Sequence, residues 1–165
     1  MAQGKRKGIF RKILILLFAV FVIMQFSRID MVNPKIEPAK DFIALTKPPA
    51  DIEKMIRSAC YDCHSHETNY PWYANIAPVS WILGNHIEEG REHLNFSLWA
   101  NYSEDKANHK LHECEEEIEE GKMPISSYTW THGDADLSSE QKEKLAEWFE
   151  DQMTGEDKGH DHEEH

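Results

Sequence analysis

Acidic residues are absent from the beginning of the chain. No Asp or Glu occurs before Asp30, so all 30 acidic residues lie at or after that position. Residues 30–165 also hold 12 of the 18 basic residues, so their formal charge is −18. This charge excludes attraction of that part to nucleic acid or to anionic lipid headgroups. It favours a partner with a basic docking face, although it equally serves ordinary solubility.

Strand patterns are also absent. No stretch alternates apolar with polar residues over a strand's length, and no internal repeat occurs. Apolar residues instead recur at helical spacing, and capping residues stand beside them. The pattern predicts four helices. The first is capped by Asp51 and ends near Cys60, and the second begins at Pro78 and ends near Leu94. The third runs from Ser103 to Glu120 and is followed by Gly121, and the fourth begins with a capping box of Ser138 and Gln141. We therefore expect an all-α fold.

Cysteine is scarce, and two of the three cysteines form one motif. Cys60-Tyr-Asp-Cys63-His64 is a C-x-x-C-H sequence, the attachment site of a c-type haem. Two thiols at this spacing can each bond to one vinyl group of a porphyrin. The following histidine can then bind the iron. One motif predicts one covalent haem c held by Cys60, Cys63 and His64, while Cys114 receives no role.

Three other uses of the two cysteines compete with haem attachment. A thioredoxin-like pair belongs in a βαβ setting, which the surrounding sequence lacks. Structural zinc usually takes its four ligands from two separated pairs, whereas Cys60, Cys63, His64 and His66 lie in one short stretch. No second C-x-x-C or spaced histidine pair stands at a suitable distance. A disulfide between Cys60 and Cys63 would close a very small loop. Haem is the interpretation that the motif favours.

The iron needs a ligand on its other side, and Met123 is the candidate. It stands in Gly121-Lys-Met-Pro124, on a loop stiffened by proline. A thioether stabilises ferrous iron and so raises the potential, which suits electron transfer. Rival donors are His86, His93 and His132, and core filling is the commonest use of a methionine. We further expect aromatic residues to line the haem pocket, namely Trp72, Tyr73, Trp81, Trp99, Trp130 and Trp148.

The first residues resemble an export signal. Basic residues between Lys5 and Lys12 precede an apolar run from Ile13 to Met24, and no small-x-small cleavage pattern follows. This predicts a single membrane helix within 1–29, with its basic end in the cytoplasm. A cleaved signal peptide is the alternative. The predicted location is the bacterial inner membrane, with the remainder on the periplasmic side.

Composition divides the rest into three parts. Residues 30–50 contain four prolines and predict an extended linker. Residues 51–152 have the size of one haem-binding domain. Residues 153–165 are rich in Gly, His and acidic residues and predict a disordered tail.

Taken together, these segments resemble a known family, the short bacterial haem-binding domains of the cytochrome c type. The resemblance covers residues 40–152. It rests on Cys-Tyr-Asp-Cys-His-Ser-His at 60–66, Tyr-Pro-Trp-Tyr at 70–73, Ile-Ala-Pro-Val-Ser-Trp at 76–81, His86, Glu-Gly-Arg-Glu-His-Leu-Asn-Phe-Ser at 89–97, Gly-Lys-Met-Pro at 121–124 and the stretch from Ala135 to Trp148. It implies a cytochrome c-like helical domain around one covalent haem, with His64 as the proximal ligand. It does not imply a substrate.

Two functions follow as expectations. The first is a membrane-tethered carrier that transfers single electrons through the haem, and we favour a carrier over an enzyme. The second is a haem-based sensor of gas or redox state, or a small haem enzyme, with an open distal site. They differ in whether the sixth coordination position of the iron is filled.

Overall fold

The computed structural model describes residues 2–154, with side chains from residue 7 onward. The described residues form α-helices and short 3₁₀ helices and contain no strand, which confirms the all-α prediction for them. The α-helices are α1 Ala2–Met24, α2 Phe42–Thr46, α3 Ala50–Ala59, α4 Tyr61–His64, α5 Val79–His93, α6 Glu104–Glu119, α7 Ser126–Thr129 and α8 Ser139–Gln152. The 3₁₀ helices are Pro38–Lys40, Trp72–Asn75, Phe96–Asn101 and Gly133–Ala135.

The chain divides into two compact units. Unit 1 comprises residues 1–32 and 70–88, and unit 2 comprises residues 33–69 and 89–165. Helix α5 begins in unit 1 and ends in unit 2. Residues 155–165 of the predicted disordered tail lie outside the described residues. Met153, at the start of that tail, is instead buried, and Thr154 N donates to Asn108 Oδ1 at 3.1 Å.

Helix α1 lies where the sequence predicted a membrane anchor. No helix in the part of the chain that the structure describes is both long and apolar enough to cross a membrane. Basic residues as late as Lys12 lie inside α1, which leaves only residues 13–24 of the helix uncharged. The membrane-spanning part of the prediction is therefore not supported.

The core of unit 2 is built around Phe42. Its ring lies 4.9 Å from that of Phe96, 4.5 Å from that of Trp99 and 6.1 Å from that of Phe149, measured between centroids. Helices α6 and α8 pack along each other and contribute Leu111, Ile118, Leu145 and Phe149 to this core. Phe42 belongs to the segment that the sequence predicted as an extended linker. Its burial corrects that prediction, because an apolar run between the prolines forms α2 and packs inward.

Local capping chemistry explains where the helices begin and end. The Ser138 side chain accepts from Gln141 N, and the Gln141 side chain accepts from Ser138 N, so the predicted capping box is present. Gly121 follows α6 with a φ of +69°, as a C-terminal glycine should. The prediction that Asp51 caps α3 is wrong. The N-cap is Pro49, and Asp51 lies in the first turn, where its carboxylate pairs with Lys144 of α8.

Candidate functional site

The C-x-x-C-H motif begins where α3 ends and itself forms the short helix α4, within unit 2. Cys60 N donates to Ile56 O at the end of α3, and Cys60 O accepts from Cys63 N at 3.2 Å and from His64 N at 2.9 Å. This backbone forms the single turn α4, so the two thiols stand on one helical turn. Both cysteines are half-buried and free. The arrangement presents both sulfur atoms and the imidazole from one short rigid segment.

The second residue of the motif anchors this segment in the core. Tyr61 is buried and its ring stacks on Phe96 at 5.4 Å. Its hydroxyl donates to Asp41 Oδ1 at 2.9 Å, and the same carboxylate accepts from Ile43 N. Burial and the Asp41 carboxylate raise the pKa of Tyr61 above its usual range, so the phenol stays a donor. The segment before α2 thus holds the haem motif in place.

His64 is oriented by the end of α5. Its Nδ1 lies 2.9 Å from Gly90 O and 3.3 Å from Leu94 O. A carbonyl oxygen only accepts, so Nδ1 carries the proton and the lone pair of Nε2 is left for a metal. Burial lowers the pKa of His64, because the imidazolium form loses hydration. The side chain is therefore held as a neutral imidazole, the form that ligates iron.

Gly90 allows this contact. A Cβ at Gly90 would stand 2.9 Å from Cys63 O, closer than real side chains approach a backbone atom. The helix backbone of α5 therefore lies directly against the haem motif. Sequence analysis placed Gly90 only within the family resemblance and gave it no role.

Arg91 holds the loop that follows the motif. Its Nε donates to Ser65 O at 2.7 Å, and its Nη2 donates to Asn33 Oδ1 at 3.0 Å and to Thr68 Oγ1 at 2.9 Å. Asn33 Nδ2 in turn donates to Thr68 O. One guanidinium thus joins three separate stretches of unit 2. Sequence reasoning missed Arg91, because its acceptors are distant in the chain.

His66 carries a buried nitrogen that has no hydrogen-bond partner among the described residues. Asn95 Oδ1 accepts from Ser97 N, so the Asn95 amide nitrogen is the donor that faces His66 Nε2 at 3.0 Å. Nε2 is then the acceptor, and the proton is on Nδ1. That Nδ1 is the unpartnered atom. A buried donor without an acceptor is costly, so this position suits a bound group with acceptor oxygens.

Burial keeps the cysteine thiols protonated. Burial raises the pKa of Cys60 to about 12, together with the neighbouring Cys63. Burial likewise raises the pKa of Cys63 to about 11, together with the adjacent Asp62 carboxylate. Cys114 lies on α6, and like Cys60 it packs against the core of unit 2. Burial raises its pKa well above the ordinary value. All three thiols are neutral at physiological pH.

Met123 follows the end of α6. Its backbone N donates to Glu117 O at 2.9 Å, and the residue is half-buried. Gly121 makes the preceding turn. Ligation of iron by the Met123 sulfur stays a prediction.

The aromatic residues that were predicted to line the haem pocket occupy different settings. Trp99 and Trp148 pack against the core of unit 2, whereas Trp130 is 88% exposed and Trp72 is 76% exposed. Lining of a haem pocket by these residues stays a prediction. The sequence did not predict that Trp72 and Trp130 are exposed, because tryptophan is mostly buried on average.

The rival histidines occupy different settings. His86 belongs to unit 1 and is half-buried, and His93 is exposed. His132 stacks on Tyr128 at 4.1 Å, and the Tyr128 hydroxyl donates to Asp62 Oδ2 at 2.7 Å. Both rings line a cavity of about 560 Å³ beside the middle of the motif. In residues 2–154, no group of three or more His, Cys, Asp or Glu side chains could hold a metal ion.

The family is identified by comparison with known proteins. No curated protein and no solved structure matches the chain. A family model described as the haem-binding domain matches residues 19–151, which include the whole site and both units apart from their ends. Haem binding is thus supported, and the type of attachment and the number of haems stay predictions. The chain belongs to the haem-binding domain family.

Proposed function

We propose that this chain is a single-haem electron carrier of the c type, on the exported side of a bacterial membrane. The observation that carries the proposal is the His64 imidazole, held by Gly90 O with Nε2 left for iron, next to two thiols on one helical turn. When bound, haem supplies a one-electron iron couple. Export is proposed because covalent attachment in bacteria takes place on that side, and because the first residues resemble an export signal.

The described residues fit such a group. Cys60 and Cys63 would hold it through thioether bonds, and His64 would be the proximal ligand. The unpartnered Nδ1–H of His66 suits a carboxylate of the haem. Met123, on its proline-stiffened loop, is proposed as the distal ligand. Tyr61 and Trp99, which both pack in the core of unit 2, would keep water from that side of the haem.

Attachment is tested on the full chain, expressed together with a haem-maturation system. We expect haem to resist acidic solvent extraction in the wild type and in Cys114→Ser. Cys60→Ser and Cys63→Ser should each shift the reduced pyridine spectrum, because one thioether becomes a free vinyl group. The double variant should release all its haem. Haem that is extracted from the wild type would refute covalent attachment.

Ligation is tested by absorption spectra with and without carbon monoxide. Met123→Ala should abolish the weak far-red band of a thioether bound to ferric iron and should admit carbon monoxide. His93→Ala and His132→Ala are the matched controls and should leave both properties unchanged. A wild-type iron that is high-spin and binds carbon monoxide would favour the sensor or enzyme instead.

The partner is proposed to present a basic face. Unit 2 holds 12 basic and 28 acidic residues, a formal charge of −16. Attraction between opposite charges accelerates the encounter of two proteins, and salt screens this attraction. Electron exchange with a small basic redox protein should therefore be faster than with an acidic one of similar potential, and the difference should shrink as salt is raised. Equal rates at low salt would contradict the proposal.

A further inference from the structure

Unit 1 differs from unit 2 in charge and in surface. It holds six basic and two acidic residues, a formal charge of +4, and residues 70–88 contain a single charged residue, Glu88. Its exposed surface is rich in large apolar side chains. Those outside α1 are Phe26, Val32, Trp72, Ile76, Val79 and Ile82. Exposed apolar residues in such density mark an interaction surface.

The first half of α5 has its apolar side facing outward. Val79 and Ile82 share one face and are 45% and 56% exposed. Ser80, on a different face, is buried, and Gly84 lies against the side chain of Ile29. A helix at the surface of a water-soluble domain shows the opposite pattern, with polar residues outside. The outward face of this helix therefore suits an apolar surrounding.

This face is joined to the end of α1. Gln25 Nε2 donates to Ala77 O at 3.1 Å, and Ala77 N donates to Gln25 Oε1 at 3.0 Å, so one side chain pairs with both backbone groups of a residue. Trp81 Nε1 donates to Ser27 O at 2.8 Å. Residues 25–29 and 77–84 are thus held together inside unit 1. The apolar residues of both stretches belong to one structure.

We infer that unit 1 is a lipid-binding module and that residues 72–82 rest in the surface of a bilayer containing anionic lipid. Three observations favour lipid over a protein partner. The apolar residues of α1 are exposed at consecutive positions from Ile13 to Phe18, so they surround the helix, whereas a protein partner contacts one stripe. The positive charge of the unit comes from its six basic residues between Lys5 and Arg28, and it is opposite to that of an anionic bilayer. Trp72 and Tyr73 are of the type enriched where headgroups meet acyl chains.

The inference concerns a surface that the haem site does not use, so its test is independent of haem. The full chain would be sedimented with vesicles of phosphatidylethanolamine and phosphatidylglycerol in a 7:3 ratio. Trp72→Ala and Ile82→Asp should each weaken partition at least fivefold. Trp130→Ala and Leu45→Asp are the matched controls, because they alter similarly exposed residues of unit 2. They should bind like the wild type.

Hydrogen exchange locates the contact and covers the case in which α1 alone dominates partition. With the chain bound to vesicles, backbone amides of residues 72–82 should exchange at least tenfold more slowly, while those of residues 126–135 keep their rate. Unchanged exchange at residues 72–82 in vesicle-bound protein would overturn the inference. Protection that needs no vesicles and grows with protein concentration would also overturn it, since a second copy would then cover the surface.

Discussion

Nδ1 of His64 lies 2.9 Å from the carbonyl oxygen of Gly90. This contact joins the C-x-x-C-H motif to the end of α5, and it fixes which imidazole nitrogen is left without a proton and able to bind a metal. It exists because Gly90 has no side chain, so the helix backbone can lie against Cys63. Several properties of the site depend on this close contact between the backbones of Gly90 and Cys63.

Gly90→Ala should destabilise the fold. The added Cβ would lie 2.9 Å from Cys63 O, and neither backbone can yield without moving α4 or α5. We expect a loss of about 1–3 kcal/mol in the free energy of unfolding, as for other overpacked sites. Urea unfolding measures it. Gly133→Ala is the control, because a Cβ there meets nothing within 4 Å; equal stability of the two variants would contradict the prediction.

Arg91→Lys should loosen the loop after the motif. An ammonium group cannot donate in the planar geometry with which the guanidinium reaches Ser65 O, Asn33 and Thr68. We expect faster amide exchange at residues 65–69 and a lower melting temperature. Arg57→Lys, whose partners Glu53 and Glu67 are at the surface, is the control and should change little. Similar effects of both changes would show that Arg91 has no special role.

Tyr61→Phe should leave the buried Asp41 carboxylate without its hydroxyl donor. The expected loss is about 1–3 kcal/mol in the free energy of unfolding, the usual cost of such a group. A double-mutant cycle with Asp41→Ala isolates the hydrogen bond, because the second change should matter less when the first is present. Additive losses would mean that the two residues act separately.

The Asp51–Lys144 pair predicts a weak dependence of stability on pH. Its hydrogen bond to Lys144 lowers the pKa of Asp51 in the folded chain. The contribution is therefore present above the unfolded pKa of Asp51 and is lost as the pH falls through the lowered, folded value. Lys144→Gln should raise the pKa of Asp51 in an NMR titration, and should lower the unfolding midpoint at neutral pH but not in strong acid. Lys142→Gln removes the same charge from α8 and should leave the Asp51 titration unchanged.

What the sequence by itself determined is local. The C-x-x-C-H motif, the Ser138–Gln141 capping box and the turn at Gly121 each depend on residues within a few positions of one another. Their chemistry is therefore visible in the order of residues. The predicted ranges of α5 and α6 and the predicted start of α8 agree with the structure to within one or two residues.

Only the tertiary structure decided the rest. The carbonyl oxygens that accept from His64 belong to residues 90 and 94. Asp41, which accepts from the Tyr61 hydroxyl, belongs to a segment whose prolines suggested an extended chain. Trp72 faces outward, although tryptophan usually packs inside. Each of these depends on which distant segments meet and on the distance between their backbones. Such distances follow from packing the whole chain at once, and residue types and spacing do not specify them.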